Sequence, residues 1–190
     1  SEVTRLAPVF MQTLSKIKEQ RPEVRFVLPA ATEVVSELRA IMSDWQEDII
    51  FLDPRDQSPE QGLAHKRAAF RAADGALAAS GTVSLELAAS ETPMVIGYDM
   101  SWISRQIIGR LVRTDTVTLV NLVSETRDVP EFIGPSCTPS NLAKAVLEVL
   151  ESPERQLSAM RNTMQRLGKG DTAPGERAAE SVLNFISQRK

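Results

Sequence analysis

Cysteine, histidine and tyrosine are almost missing from this chain: Cys137, His65 and Tyr98 are the only ones. One thiol cannot close an internal disulfide, and a lone cysteine suits a reducing cytosol. A single histidine and no C-x-x-C pair leave no metal-ligand spacing, so no metal is expected; no other resident cofactor is expected either. No apolar run approaches the ~20 residues of a membrane span, and no signal-peptide pattern opens the sequence. An excess of basic charge is lacking too. The 22 Lys and Arg against 25 Asp and Glu give a net charge of −3, which speaks against a general nucleic-acid footprint. Internal repeats and low-complexity blocks are absent. What is there is ordinary for one globular domain: 190 residues, 42% hydrophobic and 25% charged, enough to bury a sizeable core.

Hydrophobic periodicity divides the chain into alternating elements. Val3, Leu6, Val9, Phe10, Leu14 and Ile17 have helical spacing, closed by Pro22. Short apolar runs of strand length follow at 24–29, 48–53, 75–79, 93–98 and 116–120. Between them lie helical patterns at 33–43 (with Thr32 as cap), 61–73, 82–90 and 101–112. Three more, at 139–151, 153–167 and 175–188, close the chain. Strands alternating with helices imply an α/β fold: a Rossmann-like parallel sheet with helices on both faces, and C-terminal helices after it. In such sheets ligands sit outside the carboxyl ends of the strands.

Ser80-Gly81-Thr82 lies at such an end, where "GALAA" gives way to the 82–90 helix. Gly81 permits unusual backbone angles and close approach. Ser80 or Thr82 can cap the helix. The free amides of a first turn, with the helix dipole, suit an anion such as a diphosphate. Glu86, one turn in, would repel phosphate but could accept two hydrogen bonds from a ribose diol. A cap with a solvated acid and a sugar-nucleotide site are both open at this point. Neither a Walker loop nor a G-x-G-x-x-G is present.

The ordered set "ASGTVSLEL", "PMVIGY", the basic stretch after it, "LVNL", "PEF" and "CTPSNLA" resembles the lipid-A-disaccharide synthase family. The likeness runs over most of the chain and is strongest from Ala72 to Leu150. The resemblance implies one half of a GT-B fold, the carboxy-terminal half that holds the nucleotide sugar. It implies transfer of the sugar of UDP-2,3-diacylglucosamine to 2,3-diacylglucosamine 1-phosphate, with release of UDP and inversion of the donor's anomeric carbon. Ser80, Gly81 and Thr82 match the family's phosphate turn. Glu86 matches its ribose acid, Asn121 the asparagine near the donor pocket, and Tyr98 the tyrosine ending a strand. The family's glycine- and arginine-bearing phosphate loop would end at Ser1-Glu2. Residues 1–190 thus read as a UDP-sugar-binding domain. The first strand and the amino-terminal acceptor domain, with its catalytic base, lie outside it, so the chain alone is expected to be inactive. Lipid substrates imply a cytoplasmic protein peripheral to the inner membrane, and a homodimer is compatible. Two alternatives are another GT-B nucleotide-sugar enzyme, such as a UDP-sugar epimerase, and a non-catalytic α/β interaction domain.

Other residues read more plainly. His65, among Lys66, Arg67 and Arg71, belongs to an exposed helix face. Cys137 is a small packed residue, Trp45 covers a helix end, and Glu125 and Glu131 are surface acids. Without the family likeness, Asn121 would simply turn the chain after a strand. Segment 101–113 carries Arg105, Arg110 and Arg113 and no acid. It reads as an amphipathic helix, with its basic side in solvent or against an anionic leaflet.

In a doubly wound sheet of order 3-2-1-4-5-6, the five strand runs would be numbers two to six. A strand is then expected between 24–29 and 75–79. It could come from a preceding peptide or from a partner chain, or those two runs could pair directly. The first of these is the expectation here.

Overall fold

The computed structural model describes residues 2–43, 45, 49–99, 115–170, 172 and 174–187. The 101–112 helix expected from the sequence therefore lies outside the described residues. The chain enters on α1 (Glu2–Gln20), whose buried Leu6, Thr13 and Ile17 follow helical spacing. Next come β1 (Phe26–Pro29), a short 3-10 turn (Thr32–Val34) and α2 (Val35–Ile41). Thr32 does not cap that helix, because the turn absorbs it and the residue before the turn is Ala31. After β2 (Ile49–Leu52), Ser58 caps α3 (Pro59–Ala72) in a reciprocal box with Gln61. Then follow β3 (Ala76–Ala78), α4 (Val83–Ala89), β4 (Met94–Tyr98), α5 (Leu119–Ser124) and β5 (Glu131–Ile133). Three helices end the chain: α6 (Pro139–Glu151), α7 (Glu154–Arg166) and α8 (Pro174–Ser187).

All pairing is parallel, in two ladders ordered β1-β2 and β3-β4-β5. The neighbours β1-β2 and β3-β4 are those expected from the sequence; the strand beside β4 on its other side is not the expected 116–120 run. Among the described residues, β1 and β3 do not pair, so direct closure of the two runs is excluded. Side chains, not hydrogen bonds, join the ladders. Phe26 and Ile49 of the first pack into the same cluster as Leu77 and Val95 of the second, beneath α1 and α6.

One strand expectation is corrected. Residues 116–120 do not form a strand: 116–118 are irregular and the chain then enters α5. The alternation of Thr116-Val117-Thr118 has β character, but its amides at 117 and 118 turn to a side-chain carboxylate instead of a neighbouring strand. The third strand of the second ladder is β5, where Pro130 and Glu131 obscure a short run, Val129 to Ile133, that otherwise suits a strand.

β4 is the centre of the core. Its side chains alternate between two helical layers, as a strand covered on both faces must. Val95 joins the cluster under α1 and α6, while Met94 and Ile96 pack with Leu87, Val120 and Met160 from α4, α5 and α7. At Gly97 a side chain of α1 lies close against β4. A Cβ built there would lie 2.8 Å from Phe10 Cε1 and 3.3 Å from Leu142 Cδ2. Gly97→Val should cost about 1–3 kcal/mol through overpacking. Urea unfolding would show a lower midpoint at an unchanged slope. A midpoint equal to the parent's would mean that α1 does not seat here.

Trp45 does not simply end a helix. It stacks obliquely on Phe26 with ring centroids 6.3 Å apart, and its indole N–H donates to Ser15 Oγ of α1 at 3.4 Å. It therefore wedges between α1 and β1. His65 is exposed on α3. Cys137 is buried, and burial, with the Asp99 charge second, pushes its thiol up and away from reactivity. No described helix is long and apolar enough to cross a membrane.

Candidate functional site

β3 ends at Ala78, and two residues later Ser80-Gly81-Thr82 turns the chain into α4. The pairing Ala78↔Ile96 puts Ser80 and Tyr98 level at the carboxyl edge of the second ladder. Gly81 has φ +144°, a conformation that L side chains rarely adopt, and a Cβ there would meet nothing within 4 Å. The backbone angle, not crowding, calls for glycine, and the space beside it is open.

Neither hydroxyl caps the helix. Thr82 occupies the cap position, but its side chain makes no capping hydrogen bond. Ser80 Oγ instead donates across to the Val117 carbonyl at 3.1 Å. The one serine that bonds back to the turn is Ser84, whose Oγ donates to the Gly81 carbonyl at 2.9 Å. The amides of Gly81 and Thr82 enter no backbone hydrogen bond among the described residues. The cap reading of this stretch is thereby removed, and two exposed donors remain at an open turn.

Glu86 sits one turn along α4, part-exposed. Lys66 of α3 holds one of its carboxylate oxygens at 2.5 Å, and the same ammonium lies 5.9 Å from the centre of the Phe70 ring. In the sequence Lys66 is only one cation on a basic helix face. Its i+4 spacing to Phe70 was visible; its bridge to α4 was not.

Asn121 is on α5, not in a turn after a strand, and is 1% exposed. Its amide is occupied within the protein. Nδ2 donates to the Val129 carbonyl at 2.9 Å and to Glu131 Oε1 at 3.0 Å, and Oδ1 accepts from the Val129 amide at 3.0 Å. Tyr98 packs into the cluster beneath α1 and α6 and joins none of these bonds.

Glu131 is not a surface acid. It is half-buried, and its carboxylate accepts from the Thr116 hydroxyl, the Val117 amide at 3.1 Å, the Thr118 amide at 2.9 Å and Asn121. Burial alone would raise its pKa. The hydrogen bonds from Thr116 and the 117–118 amides outweigh that and hold it below the ordinary glutamate value. The signal for it was present: a single acid within the apolar run Val129 to Ile133. Glu125, by contrast, is exposed, lies in a left-handed conformation and pairs with Arg166 at 3.2 Å.

Ser80, the 116–118 loop, Asn121 and Glu131 are thus one connected structure, with Gly81 and Thr82 on its open side. A sequence profile described as lipid-A-disaccharide synthetase matches residues 1–184. This chain belongs to the lipid-A-disaccharide synthetase family. It is 52% identical over 185 residues to the lipid-A-disaccharide synthase of Ruegeria pomeroyi, covering 97% of this chain and 46% of that protein. The Rhodospirillum centenum synthase is 38% identical over 192 residues, and that of Nitrobacter winogradskyi 35% over 193, with 46% and 47% of those proteins covered. The chain spans about half the length of these family members. The motifs of the turn, of β4 and of the 116–133 segment all fall inside the matched region.

Proposed function

We propose that this chain is the UDP-sugar-binding half of a lipid A disaccharide glycosyltransferase. In this reading it takes UDP-2,3-diacylglucosamine as donor, the acceptor is 2,3-diacylglucosamine 1-phosphate, and UDP is the product. The observation that carries the proposal is the uncapped turn: two amides at the carboxyl edge of the sheet, beside an open space, with their neighbouring hydroxyl tied elsewhere. Such donors suit the two phosphates of a nucleoside diphosphate. Glu86 accepts the ribose hydroxyls, Tyr98 borders the same edge of the sheet, and Asn121 supports the site from within.

An inverting transfer also needs an acceptor held in line and a base to take its hydroxyl proton. We assign both to the half of the family's sequence that this chain does not span. The chain by itself then binds donor without turning it over. We place the work at the cytoplasmic face of the inner membrane, where acylated sugar substrates of this kind would lie.

Titration with UDP tests the reading. Glu86→Ala should weaken UDP about tenfold, because each hydrogen bond to a charged group contributes ~1.5–3 kcal/mol. Uracil should be little affected. Equal losses for UDP and uracil would take Glu86 away from the ribose.

A further inference from the structure

We infer that Glu131 is the positioning residue of the diphosphate site, acting through one peptide plane and Ser80 on the Gly81–Thr82 turn. This rests on the reading of that turn as the place of the UDP phosphates.

The peptide unit between Val117 and Thr118 carries the argument. Its N–H, on Thr118, donates to Glu131 Oε1 at 2.9 Å. Its carbonyl, on Val117, accepts from Ser80 Oγ at 3.1 Å. In a planar trans peptide these two groups point in opposite directions. Glu131 and Ser80 therefore grip one rigid plate from its two sides. A rotation of the plate that loosens one bond loosens the other. Charge adds to geometry: an amide that donates to a carboxylate is polarised, which makes its own carbonyl a better acceptor.

The plate has little freedom to drift. Thr116 and Thr118 are 5% and 1% exposed. The second carboxylate oxygen takes the Val117 amide at 3.1 Å, and Thr116 donates its hydroxyl to the first. Asn121 ties the same oxygen to the Val129 backbone at the entry to β5. Ser80 is thus held against a fixture, and Gly81 and Thr82 follow it directly in the chain. The carboxylate's charge is spread over four donors, so it can stand behind an anion site while its hydrogen bonds are satisfied.

The experiment compares dissociation constants for UDP and uridine in the parent chain, Glu131→Gln, Ser80→Ala and the double variant. Thr116→Val serves as a milder variant that removes one donor and decides the matter if Glu131→Gln does not fold. Glu131→Gln should weaken UDP about tenfold and leave uridine within about twofold. Thr116→Val should weaken UDP about threefold. The double variant should bind UDP within about twofold of the weaker single, because both substitutions release the same plate. UDP affinity unchanged in Thr116→Val and in folded Glu131→Gln would overturn the inference. So would equal losses for UDP and uridine, or losses that multiply in the double variant. Gly81→Val separates this from the underlying reading. If it leaves the advantage of UDP over uridine intact, the phosphates are not at the turn. If it removes the advantage and the Glu131 and Thr116 variants do not, only the role of Glu131 fails.

Discussion

Gly81→Val is expected to weaken UDP by roughly 100-fold or more while the chain stays folded. Two effects act together. A β-branched residue at φ +144° is strained, by ~1–3 kcal/mol, and the backbone will relax away from that angle. The relaxation redirects the two amides that the phosphates would use. The valine methyls then occupy the open space beside the turn. That same openness protects the fold, since a Cβ at Gly81 meets no atom within 4 Å. Calorimetric titration alongside a thermal melt checks both halves of the expectation. Wild-type affinity for UDP would place the diphosphate elsewhere, whatever the family.

The largest loss of stability is expected from Gln156→Leu. Gln156 reaches from α7 into the edge of β4 and is 3% exposed. Its side-chain carbonyl accepts from the Met94 amide, while its Nε2 donates to the Met94 carbonyl at 3.0 Å and to the Asp128 carbonyl at 3.3 Å. β5 begins pairing only at Ile96↔Glu131, so Met94 has no strand beside it on that side. The glutamine amide takes the place of a missing strand residue. Leucine has a similar size but neither donor nor acceptor. It leaves the two buried Met94 groups unpaired, each costing ~1–3 kcal/mol, and the part-buried Asp128 carbonyl without this donor, partly offset by its own burial. A net loss of about 3 kcal/mol is expected, lowering the melting temperature by roughly 10 °C for a chain of this size. A loss below about 1 kcal/mol would mean that water replaces the amide and that the edge is wetter than its burial implies.

Much of this molecule was legible in its periodicity. β4 reads as "PMVIGY" because a strand buried on both faces must be apolar at every position. α6 reads as Pro139–Glu151 because Leu142, Ala143, Ala145, Val146 and Val149 fall on one stripe. The Ser80-Gly81-Thr82 turn was legible too, because a glycine between two hydroxyl residues at a strand-to-helix junction is local chemistry. What was not legible is long-range. Thr116-Val117-Thr118 has strand composition, and only Glu131, thirteen residues on from Thr118, turns its amides away from a ladder. Glu131 itself looked like a surface acid: its place in the apolar run Val129 to Ile133 hinted at burial, but nothing in its immediate neighbours supplies the four donors that surround it. Asn121 likewise pairs with Val129, eight residues away. Side-chain-to-backbone bonds of this kind leave no periodic trace.

The break between the two ladders also bears on how the chain comes apart. A continuous sheet transmits unfolding through its hydrogen bonds, so that its strands are lost together. Here β1-β2 and β3-β4-β5 adhere through Phe26, Ile49, Leu77 and Val95 and the two helices above them. The first pair is also thinly covered: Ile50 is 53% exposed, and α3 buries none of its residues fully. β1-β2 is therefore expected to open ahead of the rest while β4 stays protected. Its amides will exchange through that opening, and those of Val95 and Ile96 only through loss of the whole fold. A melt followed by one probe would miss the first event, and two-state treatment would then understate the stability of the second.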